Sequence, residues 1–125
     1  MNQAMRPRDS GLSHMRLPIG AVTSILHRMT GVLLIAVVAA ALVILHRALG
    51  SVHSYGVAGR VLASPAGRIL GPVSLWITAH HTYGGIRHLA LDAGFVRGRR
   101  GVRRTAAIVL VAALCTGLAA AVLWP

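Results

Sequence analysis

Charge divides this chain into long apolar runs separated by polar segments. The last run is the cleanest. Thr105 to Trp124 carries no charged residue, and its roughly 20 positions are enough to cross about 30 Å of hydrocarbon as a helix. Trp124 at its end suits an interfacial anchor. The first run extends from Met29 to Leu45 and backward through Ile19–Leu26. It predicts a helix over about 18–48, longer than a minimal span, which must tilt or leave its first turns at the interface. Pro18 fits the opening turn, where its missing N–H costs nothing. A less obvious run starts near Ala66, crosses Leu70–Ala79 and continues through His80, His81, Arg87 and His88 to Asp92. The predicted helices are therefore about 18–48, 66–92 and 104–124, with Gly50–Pro65 and Ala93–Arg104 read as loops. The expected architecture is an all-α membrane protein: an arm over 1–17, then a membrane domain over 18–125 made of three transmembrane helices.

Composition narrows the class. Of 125 residues, 55% are hydrophobic and only 12% charged, about half the charge of an average soluble domain. With a mean hydropathy of +0.68, a soluble fold would expose large apolar patches. The only acidic residues, Asp9 and Asp92, are too few for a typical paired-carboxylate hydrolase. A single cysteine, Cys115, excludes an intrachain disulfide. The net charge of +11 comes entirely from arginine among the basic residues. These arginines flank the apolar runs instead of forming one basic face with interleaved aromatics, so no nucleic-acid partner is expected. Arg6, Arg8 and Arg16 in the arm, and Arg97, Arg99, Arg100, Arg103 and Arg104 in the second loop, outweigh Arg47, Arg60 and Arg68 around the first. By the positive-inside rule the N-terminus is expected in the cytoplasm and the C-terminus outside. The leader before the first apolar core is long and that core exceeds a signal peptide's, so a retained helix is expected.

Ionisable residues inside apolar runs are costly and usually functional. Ser24, Arg28 and Gly31 share one helical face, with His27 at its edge. On the second helix His81, Gly85, His88 and Asp92 fall within about 40° of one stripe. His80 points about 100° away from that stripe and Arg87 about 120°. If both helices meet the cytoplasmic interface near Pro18 and Asp92, Arg28 and His81 lie at similar depth, roughly 15 Å along each helix. A neutral imidazole ligates haem iron, and a glycine one turn away leaves room for a macrocycle. His27 and Arg28 suit its propionates, and Ser24 beside Arg28 suits a quinone carbonyl. The bland reading stands beside it: an interhelical histidine hydrogen bond, with Gly84 and Gly85 only letting helices pack closely.

The segment Ser24-Ile25-Leu26-His27-Arg28-Met29-Thr30-Gly31 resembles the S-I-x-H-R-x-[ST]-G signature of the succinate dehydrogenase cytochrome b556 subunits. His81 through Asp92 resembles that family's second signature, H-x3-G-[IL]-R-H-L-x-x-D, and Arg6-Pro7 and Met15-Arg16-Leu17-Pro18 are similar to its arm. The resemblance implies that His81 is an axial ligand of haem b, the other being supplied by a second small membrane-anchor subunit. It implies that Ser24 and Arg28 contact ubiquinone, and that His27 and Arg28 lie near the haem propionates. His88 and Asp92 match signature positions and are possible supporting residues. A flavoprotein subunit would oxidise succinate and an iron–sulfur subunit would pass electrons to quinone. This chain would serve respiratory complex II in a bacterial inner membrane, contacting lipids and lacking a complete active site of its own. Three alternatives remain: a quinol:fumarate reductase anchor, a haem-free membrane scaffold, and a small transporter subunit, for which no inverted-repeat pattern is present.

Overall fold

The computed structural model describes residues 17–125. The arm expected over 1–17, with Arg6, Arg8, Asp9, His14 and Arg16, lies outside the described residues except for Leu17. The rest is helical: α1 (Ile19–Ala48), α2 (Val52–Ala63), α3 (Pro65–Asp92) and α4 (Gly98–Leu123).

Two of these helices, α1 and α4, are long and apolar enough to cross a membrane. This corrects the expectation of three transmembrane helices. Helix α3 has the length, at 28 residues, but Arg68, His80, His81, Arg87, His88 and Asp92 make it too polar to qualify. The assignment of the two termini to opposite sides rested on three crossings and falls with them. The second correction is α2, which occupies most of the expected loop over Gly50–Pro65. Its start is fixed by Ser51, whose hydroxyl accepts from the Ser54 N–H at 3.1 Å, a regular N-cap. Ser64 then ends α2 and caps α3, accepting from Gly67 N at 3.1 Å. Pro65 follows at the first helical position, where proline is favoured.

Helix α3 ends in a Schellman motif. Gly94 takes φ of 74°, Phe95 N–H bonds Ala90 O at 3.0 Å and Gly94 N–H bonds Leu91 O at 3.0 Å, which satisfies carbonyls the helix leaves open. Helix α4 starts at Gly98, well inside the segment expected to be a loop up to Arg104.

Helix α3 packs most extensively on α4 and next on α1. Small residues carry the α4 contact: Ala106, Val109 and Ala113 are buried at helical spacing. Gly117 lies under Trp76, where an added Cβ would sit 3.0 Å from the Trp76 Cβ. The buried residues of α1 are Thr23 and Thr30, and the hydroxyls return to Ile19 O at 3.0 Å and Leu26 O at 2.8 Å. The apolar side chains of α1, including Val32, Ile35, Val38 and Leu42, are exposed. Small and polar residues face the interior and large apolar ones face outward, the arrangement that suits a hydrocarbon solvent. Trp124, expected as an interfacial anchor, also closes the fold: its indole covers Gly71 and Nε1–H donates to Leu62 O at 2.9 Å.

Candidate functional site

The polar residues of the two motifs meet where α1 crosses α3. His27 stacks on His81 with ring centroids 4.4 Å apart and planes 6° from parallel. His88, two turns on from His81, lies 5.0 Å from the His27 ring with its own ring tilted by 51°. Glycines make this approach feasible. A Cβ on Gly84 would lie 2.8 Å from His27 Cδ2, and one on Gly31 would lie 3.0 Å from His81 Cε1. His27, expected at the edge of the Ser24–Arg28 face, is thus the centre of the α1–α3 contact. It lies between Thr23 and Thr30, the two buried residues of that helix.

Hydrogen bonding distinguishes the two stacked imidazoles. His81 Nδ1 lies 3.2 Å from the His27 main-chain oxygen, while His27 Nε2 is buried and has no partner. Leaving a buried polar atom unpaired costs about 1–3 kcal/mol. Among the described residues no cluster of histidine, cysteine and acidic side chains is arranged to hold a metal ion directly.

The remaining expected site residues surround this cluster without joining it. Ser24 is half-buried and Arg28 exposed, one turn apart on α1. Neither side chain makes a hydrogen bond or ion pair among the described residues. Asp92 is exposed at the end of α3. Gly85, expected to leave room for a macrocycle, lies beside His27, where an added Cβ would be 3.4 Å from Nε2.

The two groups placed off the His81 stripe by helical geometry are both buried. His80 is fully buried, with both ring nitrogens unpartnered and Trp76 at 5.8 Å. Arg87 is 6% exposed. Its Nε donates to Thr105 Oγ1 and its Nη2 to Val102 O, each at 3.2 Å, so it ties α3 to the first turns of α4. Ile77, His80, Gly84 and Arg87 are all buried, and their spacing of three, four and three is the signal that would have found this face.

The geometry brings together residues from both sequence motifs, and comparison with known proteins shows the family. The family described as succinate dehydrogenase/fumarate reductase transmembrane subunit matches residues 2–120. The chain belongs to that family. Within it, the chain is 36% identical over 95 residues to the succinate dehydrogenase cytochrome b556 subunit of Paracoccus denitrificans, covering 76% of this chain and 73% of the relative. It is 34% identical over 93 residues to the subunit of the same name from Coxiella burnetii (strain RSA 493 / Nine Mile phase I), covering 74% of each. These relatives are subunits of succinate dehydrogenase, an oxidoreductase complex. The anchor family and the apolar α1 and α4 together make this a membrane protein that associates with other subunits.

Proposed function

We propose that this chain is the membrane-anchor subunit of a bacterial succinate:quinone oxidoreductase, with His81 as an axial ligand of haem b and Ser24 and Arg28 in its ubiquinone site. The observation that carries the reading is the histidine cluster at the α1–α3 contact. His81 has one nitrogen against a carbonyl, and its other nitrogen makes no hydrogen bond among the described residues, the condition of an imidazole ready to ligate. The relatives are named cytochrome b556 subunits, and a b-type haem brings its own four equatorial nitrogens, so one imidazole from this chain suffices. The His27 Nε2, buried without a partner among the described residues, supports the fit, because a propionate or its hydration would supply a hydrogen-bond partner. Haem, when bound, supplies a one-electron store near the quinone.

In this reading the second axial ligand comes from a second small anchor subunit, and electrons arrive from an iron–sulfur subunit fed by a flavoprotein. Arg28 binds a quinone carbonyl through a charge-assisted hydrogen bond that strengthens as negative charge develops on reduction, and Ser24 adds a hydroxyl one turn away. His88 and Asp92 act in support, His88 by packing on His27. The inner (cytoplasmic) membrane is the location this assembly requires.

The test is a dithionite-reduced minus oxidised spectrum of the complex purified through a tag on this chain, with wild type and His81→Leu compared. A b-type signal in the wild type that is lost in His81→Leu is expected. An intact complex of flavoprotein and iron–sulfur subunits without haem would leave a haem-free scaffold. An unchanged signal in His81→Leu would move the ligand elsewhere.

A further inference from the structure

We infer that α1 tunes the ligand strength of His81 through the main-chain carbonyl of His27, with Thr30 and Gly31 as the residues that set how firmly that carbonyl is available. The inference rests on haem ligation by His81. A carbonyl oxygen only accepts, so a hydrogen bond between His27 O and His81 Nδ1, at 3.2 Å, requires the proton on Nδ1. A neutral imidazole with Nδ1 protonated keeps its lone pair on Nε2. The contact thereby fixes which nitrogen faces a metal, and the parallel His27 ring at 4.4 Å fixes the plane. Donation from the far nitrogen to a carbonyl also raises the basicity of the ligating one.

The same oxygen is contested. Thr30 Oγ1 donates to it at 3.0 Å while also reaching Leu26 O at 2.8 Å. The regular helix bond from Gly31 N–H runs to the same carbonyl. The single Thr30 hydroxyl proton is shared between Leu26 O and this oxygen; with the Gly31 N–H it contests the two lone pairs of the acceptor, and that share weakens the bond to His81. Gly31 is the other control. An added methyl there would stand 3.0 Å from His81 Cε1 and 3.3 Å from Nδ1, tight enough to push the ring away from the carbonyl. Thr30 and Gly31 are positioning residues, and they act in opposite directions.

The experiment is a potentiometric titration of the haem in the purified complex, with haem content measured in parallel, for wild type, Thr30→Val and Gly31→Ala. Val keeps the shape of Thr and removes the competing donor. The His81 bond strengthens, the ferric form gains, and the midpoint falls. Gly31→Ala weakens the bond and raises the midpoint. Each shift is expected to change the ferric-to-ferrous ratio at fixed potential by about tenfold, or ~59 mV for a one-electron couple. Bound haem with an unchanged midpoint in both variants overturns the inference while leaving haem ligation standing. So do two shifts of the same sign, which mark general disturbance. If Gly31→Ala does not assemble, Thr30→Val decides alone: a lowered midpoint supports the inference, and an unchanged or raised one overturns it. Haem retained with an unaltered spectrum in His81→Leu removes the ligand assignment itself and the inference with it.

Discussion

His27 and His81 lie face to face, 4.4 Å between ring centroids and 6° from parallel, each against a glycine on the opposite helix. His27 lies over Gly84 of α3, and His81 lies over Gly31 of α1. In the first motif the glycine under the partner ring is Gly31, four residues after His27; in the second it is Gly84, three residues after His81 and next to Gly85. One residue of each motif supplies the ring and another supplies the space the partner ring needs. The stack therefore joins the packing of α1 on α3 to the chemistry of the site.

The Gly84 side of this contact predicts a stability effect. A methyl at Gly84 meets His27 Cδ2 at 2.8 Å and Cγ at 3.2 Å, so the ring must turn or the helices must part. Gly84→Ala is expected to lower stability by about 1–3 kcal/mol, the usual result of overpacking. Gly59 in α2 is the control, because nothing lies within 4 Å of an added Cβ. Gly59→Ala is expected to be neutral or stabilising by about 0.4–1 kcal/mol. Thermal unfolding of the detergent-solubilised complex separates the two, and equal behaviour of both variants would refute the steric account.

Arg87 makes a different kind of joint. Its guanidinium is buried and bonds both Thr105 Oγ1 and Val102 O, and hydrogen bonds from charged groups are each worth about 1.5–3 kcal/mol. Arg87→Met keeps the apolar stem and removes both bonds, so it is expected to loosen α3 from the start of α4 and lower the unfolding midpoint. Arg87→Lys is expected to recover only part of the loss, because an ammonium cannot reproduce the planar fork. Full recovery with lysine would show that charge alone, without fork geometry, holds this joint.

Much of this arrangement was legible in the sequence. The unbroken apolar run from Thr105 to Trp124 placed most of α4, and the His27 and His81 motifs identified the residues that meet. What periodicity could not read was a buried face built from polar residues. His80 and Arg87 complete the stripe with Ile77 and Gly84, yet a search for apolar spacing passes over them. The burial of Arg87 depends on partners in α4, Val102 and Thr105, that no local pattern contains. Helix α2 was hidden for a related reason: Ser51, Gly56, Gly59 and Ser64 carry the composition of a loop, and two serine caps convert it into a helix. The third span failed on the same polar residues that make α3 chemically interesting.

Trp124 offers a test of how the far end of the fold is held. Its ring covers Gly71, and Nε1–H donates to Leu62 O at 2.9 Å. Trp124→Phe keeps an aromatic over Gly71 and loses only the bond, a cost of about 0.5–1.5 kcal/mol. Trp124→Ala also uncovers Gly71 and is expected to cost more, about 3–5 kcal/mol if the cavity does not collapse. Unfolding midpoints that rank Phe below Ala would contradict this order.

Arg28 and Ser24 carry the quinone part of the proposal, and their position permits a selective test. Arg28 is exposed on α1, and neither side chain is tied to another group among the described residues, so removing them leaves the His27–His81 stack and the α1–α3 packing intact. A hydrogen bond from a charged donor contributes about 1.5–3 kcal/mol, which corresponds to roughly 10- to 100-fold in quinone turnover efficiency. Arg28→Leu is expected to show that loss with ubiquinone, while succinate oxidation with an artificial electron acceptor stays near wild type because the soluble subunits are untouched. Ser24→Ala is expected to show a smaller loss in the same assay, since a neutral hydroxyl contributes less than a guanidinium. If Arg28→Leu lowered both activities equally, its effect would lie in assembly of the complex, and the assignment of this α1 face to quinone would be wrong.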